Sequence, residues 1–264
     1  MSAPTTPFAG EARFIEKGNS ERMELILILA GTFWMGSVLH DTKAKENEKP
    51  RHQVQLTNDF YIGKYPVTQK LWEESMGNNP SHMKGSSLPV GHVSWDDSIQ
   101  FCNRLSKREG KEPVYNIENG VTICNWEAKG YRLLTEAEWR YAARAGEYHL
   151  YSGSDNINDV VWSAENSGRK PQIVGTKSAN AFGVHDMTGN VLEWCWDWFD
   201  DNLYQSRANT GITADPRGPS SGSRRVYVGG GWFYEEERCR LSIRNGLSPS
   251  AKGSGTGLRI GISR

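Results

Sequence analysis

Residues 225–264 read RVYVGGGWFYEEERCRLSIRNGLSPSAKGSGTGLRIGISR. Two texts are interleaved in this stretch. Gly229-Gly230-Gly231-Trp232, Cys239-Arg240, Arg244, Pro249 and Gly257-Leu258-Arg259 are stiff or strongly hydrogen-bonding markers. Between them lie Phe233-Tyr234-Glu235-Glu236-Glu237, Leu241-Ser242-Ile243, Asn245-Gly246-Leu247-Ser248 and residues 250–256. This filler has neither the alternation of a strand nor the uniform polarity of a loop that only has to close. Fixed markers with chemically varied filler describe a scaffold that presents a surface.

The chain has 264 residues, enough to bury a core without a disulfide or metal. Its 31 basic and 31 acidic residues cancel, which argues against nucleic acid or an anionic membrane as the main partner. The 28 glycines and 10 tryptophans point to irregular segments held by aromatic packing. No apolar run reaches the roughly 18 residues of a membrane span, and residues 1–10 lack the basic-then-apolar order of a leader. Cys102, Cys124, Cys195 and Cys239 form no CxxC and no zinc-type spacing; they read as small buried hydrophobes, with one disulfide left open.

Residues 1–22 read as a loose lead-in. Glu24–Met35 suggests a strand, a turn at Gly31 and a second strand, and Val54–Leu56 with Phe60–Ile62 suggests a hairpin. Three helix starts are marked: Thr68, with Gly77 ending the helix; Ser94, with Asp97 in the first turn; and the capping box Thr135/Glu138. Trp95, Ile99, Cys102 and Leu105 then share one helix face. From Gly146 to Arg224 little regular structure is expected, and short strands return at Arg225–Val228 and Leu258–Ser263.

Several ordered motifs now become specific. They are residues 31–37 (GTFWMGS), 61–68 (YIGKYPVT), 93–97 (VSWDD), 131–139 (YRLLTEAEW), 189–194 (GNVLEW) and the Gly-Gly-Gly-Trp…Cys-Arg…Gly-Leu-Arg ending. Together they resemble the formylglycine-generating-enzyme, or sulfatase-modifying-factor, family from about residue 23 to 264. The resemblance implies an α+β, C-type lectin fold with two packed helices, small antiparallel sheets and much irregular loop. It makes 23–264 a single domain, with 225–264 as its variable segment. The family's oxidases bind copper and a substrate thiol with two cysteines. Here the second matches Cys239 and its partner position is Tyr234; a phenol does not replace a soft thiolate, so no copper is expected. The ending also resembles that of variable proteins of diversity-generating retroelements, whose gap positions are diversified for ligand binding.

The expected function is therefore non-enzymatic binding of a protein or other macromolecular ligand by a monomer that is at the cell surface or extracellular. The alternative is an oxidase acting on a protein cysteine. Phe233, Tyr234, Glu236, Glu237, Leu241, Ile243, Asn245, Gly246, Leu247, Ser250 and Lys252 are the candidate contacts. Each has a bland counterpart: Phe233 and Tyr234 buried beneath the long loop, the glutamates a solvated turn, Leu241 and Ile243 facing the core. Arg240, Arg244 and Arg259 read as structural. Matching positions in the family's enzymes hold calcium, which assigns a structural calcium to Asp186, Glu193 and the carbonyls of Gly189 and Val191. Asp and Glu around a tight turn supply the hard oxygens calcium requires; otherwise these carboxylates cap turn N–H groups.

Overall fold

A computed structural model describes residues 23–264; the lead-in expected at 1–22 lies outside the described residues. β1 (Leu25–Ile28), β2 (Gly31–Met35), β3 (His52–Leu56) and β4 (Phe60–Gly63) come first. Helices α1 (Gln69–Met76) and α2 (Trp95–Arg108) follow, then β5 (Tyr115–Glu118), β6 (Val121–Cys124), β7 (Tyr131–Leu133) and α3 (Glu136–Arg144). The rest holds α4 (Ile157–Val160), β8 (Leu192–Trp198), α5 (Leu203–Arg207), β9 (Thr213–Ala214), β10 (Arg225–Val228), β11 (Asn245–Leu247), β12 (Thr256–Leu258) and β13 (Ile260–Ser263).

The three marked helices form where their caps demand. Thr68 Oγ1 accepts from Leu71 N, and Gly77 ends α1 at φ +78°. Ser94 and Asp97 exchange bonds of 3.0 and 2.9 Å at the start of α2, and Thr135 and Glu138 exchange bonds of 3.1 and 2.9 Å at α3. Each box satisfies two orphan N–H groups that the first turn cannot pair internally. The apolar face of α2 is fully buried, and Trp72 of α1 stacks on its Phe101 at 4.9 Å. Among the described residues the three helices of eight residues or more stand at the three marked starts, and α1 and α2 are the pair that pack together.

The sheets run β1-β4-β13-β7, β11-β10-β8-β12, β2-β3-β9 and β5-β6. One expectation fails here. Val54–Leu56 and Phe60–Ile62 do not pair as a hairpin: β3 lies between β2 and β9, while β4 lies between β1 and β13. The turn between them is held instead by Asp215, which accepts from Thr57 N, and by Asp59, which accepts from Ala30 N. The stretch from Gly146 to Arg224 holds little regular structure, as expected, and its longest element is a strand. This is β8, an interior strand paired antiparallel to β10 and parallel to β12.

Buried arginines tie the C-terminal segment to these layers. Glu136 is 1% exposed and accepts from Arg244 Nε at 2.8 Å, Arg244 Nη2 at 3.0 Å, Arg140 Nη2 at 3.2 Å and Tyr204 Oη at 3.0 Å. Arg240 does the same with Asp41 and Glu48, and Arg259 with Glu193. Burial alone would raise the Glu136 pKa, but the two arginines and the tyrosine hold it down, to about 2.

Glu136→Gln leaves two buried guanidinium groups short of a counter-charge and is expected to cost about 3–5 kcal/mol in urea unfolding at pH 7. The folded pKa of Glu136 lies below its ordinary 4.5, so its contribution is full above 4.5 and lost as pH falls toward 2. The variant should lack that part of the acid limb; an acid limb equal to the wild type's would refute the assignment.

Candidate functional site

Side chains of β8 alternate across the sheet. Glu193, Cys195 and Asp197 point one way; Leu192, Trp194, Trp196 and Trp198 point the other. Register places Arg225 opposite Trp198 and Tyr227 opposite Trp194, with a bulge between the pairs. On the next strand Leu247 lies opposite Arg225 and Asn245 opposite Tyr227. One face of this sheet thus gathers three tryptophans, Tyr227, Arg225, Asn245 and Leu247. The inner part is covered by α2, where the Trp95 indole donates to Cys195 O at 2.9 Å. The outer part is open.

Phe233 and Tyr234 extend this face. Their rings lie 4.3 Å apart, both are half-buried, and both pack against the cluster containing Trp194 and Tyr227. A Cβ on Gly255 would fall 2.0 Å from the Phe233 ring, so that glycine is required by close approach. Glu236 and Glu237 are exposed beside them, with Glu237 3.1 Å from Lys43. Asn245, Gly246 and Leu247 are half-buried; Ser250 and Lys252 are exposed, Lys252 pairing with Asp97 at 2.7 Å. Nine of the expected contacts therefore lie at or near the surface.

Leu241 and Ile243 do not. They are 2% and 5% exposed, and Arg140 donates to the carbonyls of both, at 2.7 Å for Ile243. Satisfying those carbonyls fixes the backbone and turns Leu241 into the core beside Val226 and Val228. Tyr234 also packs on the cluster of Tyr151, Val160, Val161 and Cys239; the Cys239 thiol is fully buried and donates to Gly231 O at 3.9 Å. Burial pushes that thiol up to about 12, so it stays protonated at neutral pH and is a poor nucleophile or metal donor. No disulfide links the four cysteines.

Sequence reading missed the open trough beside this face. A cavity of about 770 Å³ is floored by Trp95, Trp196, Trp198 and Arg225 and walled by residues 218–222, the β5–β6 turn and residues 248–250. The signal was present: tryptophans at 194, 196 and 198 have the period of a strand with one aromatic face.

The residues assigned to calcium converge only in part. Asp186 is buried, adopts φ +55° and accepts from Gly175 N at 2.6 Å, and Gly189 and Val191 follow in the same turn. Glu193, however, has both oxygens engaged. They accept from Arg259 at 2.8–3.1 Å and from the Trp139 indole at 2.6 Å. Arg259 also acts on Asp186 electrostatically. The donor set as placed fits a guanidinium, and a calcium ion would have to displace it. Among the described residues no group of three or more His, Cys, Asp or Glu is placed to hold a metal. Arg259→Met should therefore cost about 3–5 kcal/mol with no recovery on adding millimolar calcium, and a chelator should leave the melting temperature of the wild type unchanged. A chelator-induced drop would refute this.

Comparison with known proteins follows the geometry. The model of the sulfatase-modifying factor enzyme 1-like domain matches residues 11–263. A chaperone protein, LppX, of Paenibacillus barcinonensis is 34% identical over 90% of this chain and 88% of its own length. The serine/threonine-protein kinase pkn1 of Chlamydia caviae is 30% identical over 89% of this chain, which spans only 37% of that protein. Among solved structures, Treponema denticola variable protein 1 superposes with a TM-score of 0.85 and 31% identity, covering 96% of this chain and 99% of that one. The fold is the C-type lectin fold in its formylglycine-generating-enzyme form, and this chain belongs to the sulfatase-modifying factor enzyme 1-like domain family.

Proposed function

We propose that this chain is a non-enzymatic binding protein whose C-terminal face, from Phe233 to Lys252, contacts a protein ligand. The observation that carries the reading is the sorting of that segment. Arg240, Arg244, Leu241 and Ile243 are buried as framework, while Phe233, Tyr234, Asn245, Leu247 and Ser250 emerge on one side. Half-buried aromatics on a rigid sheet supply large contact area at low entropic cost, the property that binding surfaces exploit. The likeness to Treponema denticola variable protein 1 over nearly both whole chains supports the reading, as does a 34%-identical relative named a chaperone protein. We extend the likeness to diversification of these positions by a retroelement and to display at a cell or particle surface. Among the described residues no helix is long and apolar enough to cross a membrane.

The alternative, oxidation of a protein cysteine, needs a second soft donor beside Cys239. The matching position is Tyr234, and the one thiol is buried and protonated.

A library randomised only at Phe233, Tyr234, Asn245, Leu247 and Ser250 tests the proposal. Surface changes cost little, so most members should melt within about 4 °C of the wild type, and selection should return binders to unrelated proteins. Wholesale unfolding of the library would show that these side chains are structural. Copper-dependent conversion of a cysteine peptide by the purified chain would establish the oxidase instead.

A further inference from the structure

The buried arginines of this protein fall into two groups. Arg132, Arg140, Arg240, Arg244 and Arg259 each pair with a carboxylate. Arg144 and Arg225 pair with none; Arg144 donates instead to His149 O at 2.8 Å and Gly36 O at 3.0 Å, whereas Arg225, only 4% exposed, is less fully satisfied. Its Nη1 donates to Trp196 O at 2.5 Å, while its buried Nε has no partner and its Nη2 donates to no atom among the described residues. The guanidinium lies 3.5 Å from the Trp198 ring centroid, 3.9 Å from Trp95 and 4.9 Å from Trp196. Aromatic faces offset part of the cost of burying the charge, but they leave the Nε–Nη2 edge without an acceptor. An unmet buried donor is costly, and the residue that carries it lines the 770 Å³ trough. The nearby acids do not serve it. Asp197 points to the other side of the sheet, where it accepts from Glu136 N at 2.8 Å, and Asp96 stands exposed on the rim without pairing.

A guanidinium edge with two parallel N–H groups matches a carboxylate in geometry and charge. The surrounding indoles suit an apolar stem. Arg217, stacked on Trp126 at 4.2 Å, adds a second positive charge to the wall. We infer that the trough receives an acidic residue of the protein ligand, its carboxylate docking on the Nε–Nη2 edge of Arg225 and its stem lying on Trp198 and Trp196. This rests on reading the adjoining face as a ligand-binding surface, and it adds what that reading lacks, the chemistry of one ligand group.

The probes are the dipeptides acetyl-Phe-Glu-amide and acetyl-Phe-Gln-amide. Binding is followed by tryptophan fluorescence and by the Nε–H signal of Arg225 in an ¹H–¹⁵N spectrum. The glutamate peptide should move that signal saturably and bind at least about tenfold more tightly than the glutamine peptide, since a hydrogen bond to a charged group contributes that much. Arg225→Gln should abolish the difference. Because that buried change could unfold the chain, Asp96→Asn provides a second test at an exposed position. Removing the rim's negative charge should strengthen binding of the glutamate peptide severalfold and leave the glutamine peptide unaffected. Equal binding of the two peptides, or an Arg225 signal that does not move, overturns the inference. The randomised library reports separately on the face. Discrimination between the peptides at Arg225 with no binders in the library would keep the carboxylate site and remove the wider binding reading.

Discussion

The structure depends on arginines buried against carboxylates. Arg240, Arg244 and Arg259 are spaced along the last 25 residues and reach three different places. Arg240 enters the loop carrying Asp41 and Glu48, Arg244 reaches the first turn of α3 at Glu136, and Arg259 meets Glu193 on β8. Each guanidinium also donates to backbone carbonyls, such as those of Lys43, Asp200 and Gly63. A planar fork of five donors can satisfy several acceptors at once, as an ammonium cannot. Buried pairs of this kind give little net stability over apolar packing, but breaking one is expensive. Their effect is to fix where irregular segments lie.

That constraint explains how a segment so poor in regular structure can present a defined face. The backbone from Cys239 to Arg244 is held from below, so its side chains point inward. The flanking positions 233–238 and 245–252 are half-buried or exposed. Sheet pairing then places Asn245 and Leu247 beside Tyr227 and Arg225, and the tryptophans of β8 complete the surface. Cys239 is buried within the cluster on which Tyr234 packs.

Much of this was legible beforehand. Helix caps are local chemistry, and Thr68, Ser94 and Thr135 each act within three residues of themselves. The structural role of the three arginines also followed from their type and spacing. What failed was non-local. Val54–Leu56 and Phe60–Ile62 are neighbours in sequence and read as a hairpin, yet each finds its partners in a different sheet, because the edges of β4 are taken by β1 and β13. β8 alternates Glu193, Cys195 and Asp197 with three tryptophans, but the glycines and asparagines that flank it resemble loop.

The sequence by itself determined the family, the α+β class, the three long helices and the division of the C-terminal segment into framework and filler. Each is written in local spacing or in motif order. Only the tertiary structure decided which filler is surface. Leu241 and Ile243 are chemically as fit for contact as Leu247, and they are excluded because Arg140, roughly a hundred residues earlier, binds their carbonyls. It also decided that Arg225 has no carboxylate partner, since Asp197 is turned to Glu136 N across the sheet and Asp96 stands on the trough's rim without pairing to it.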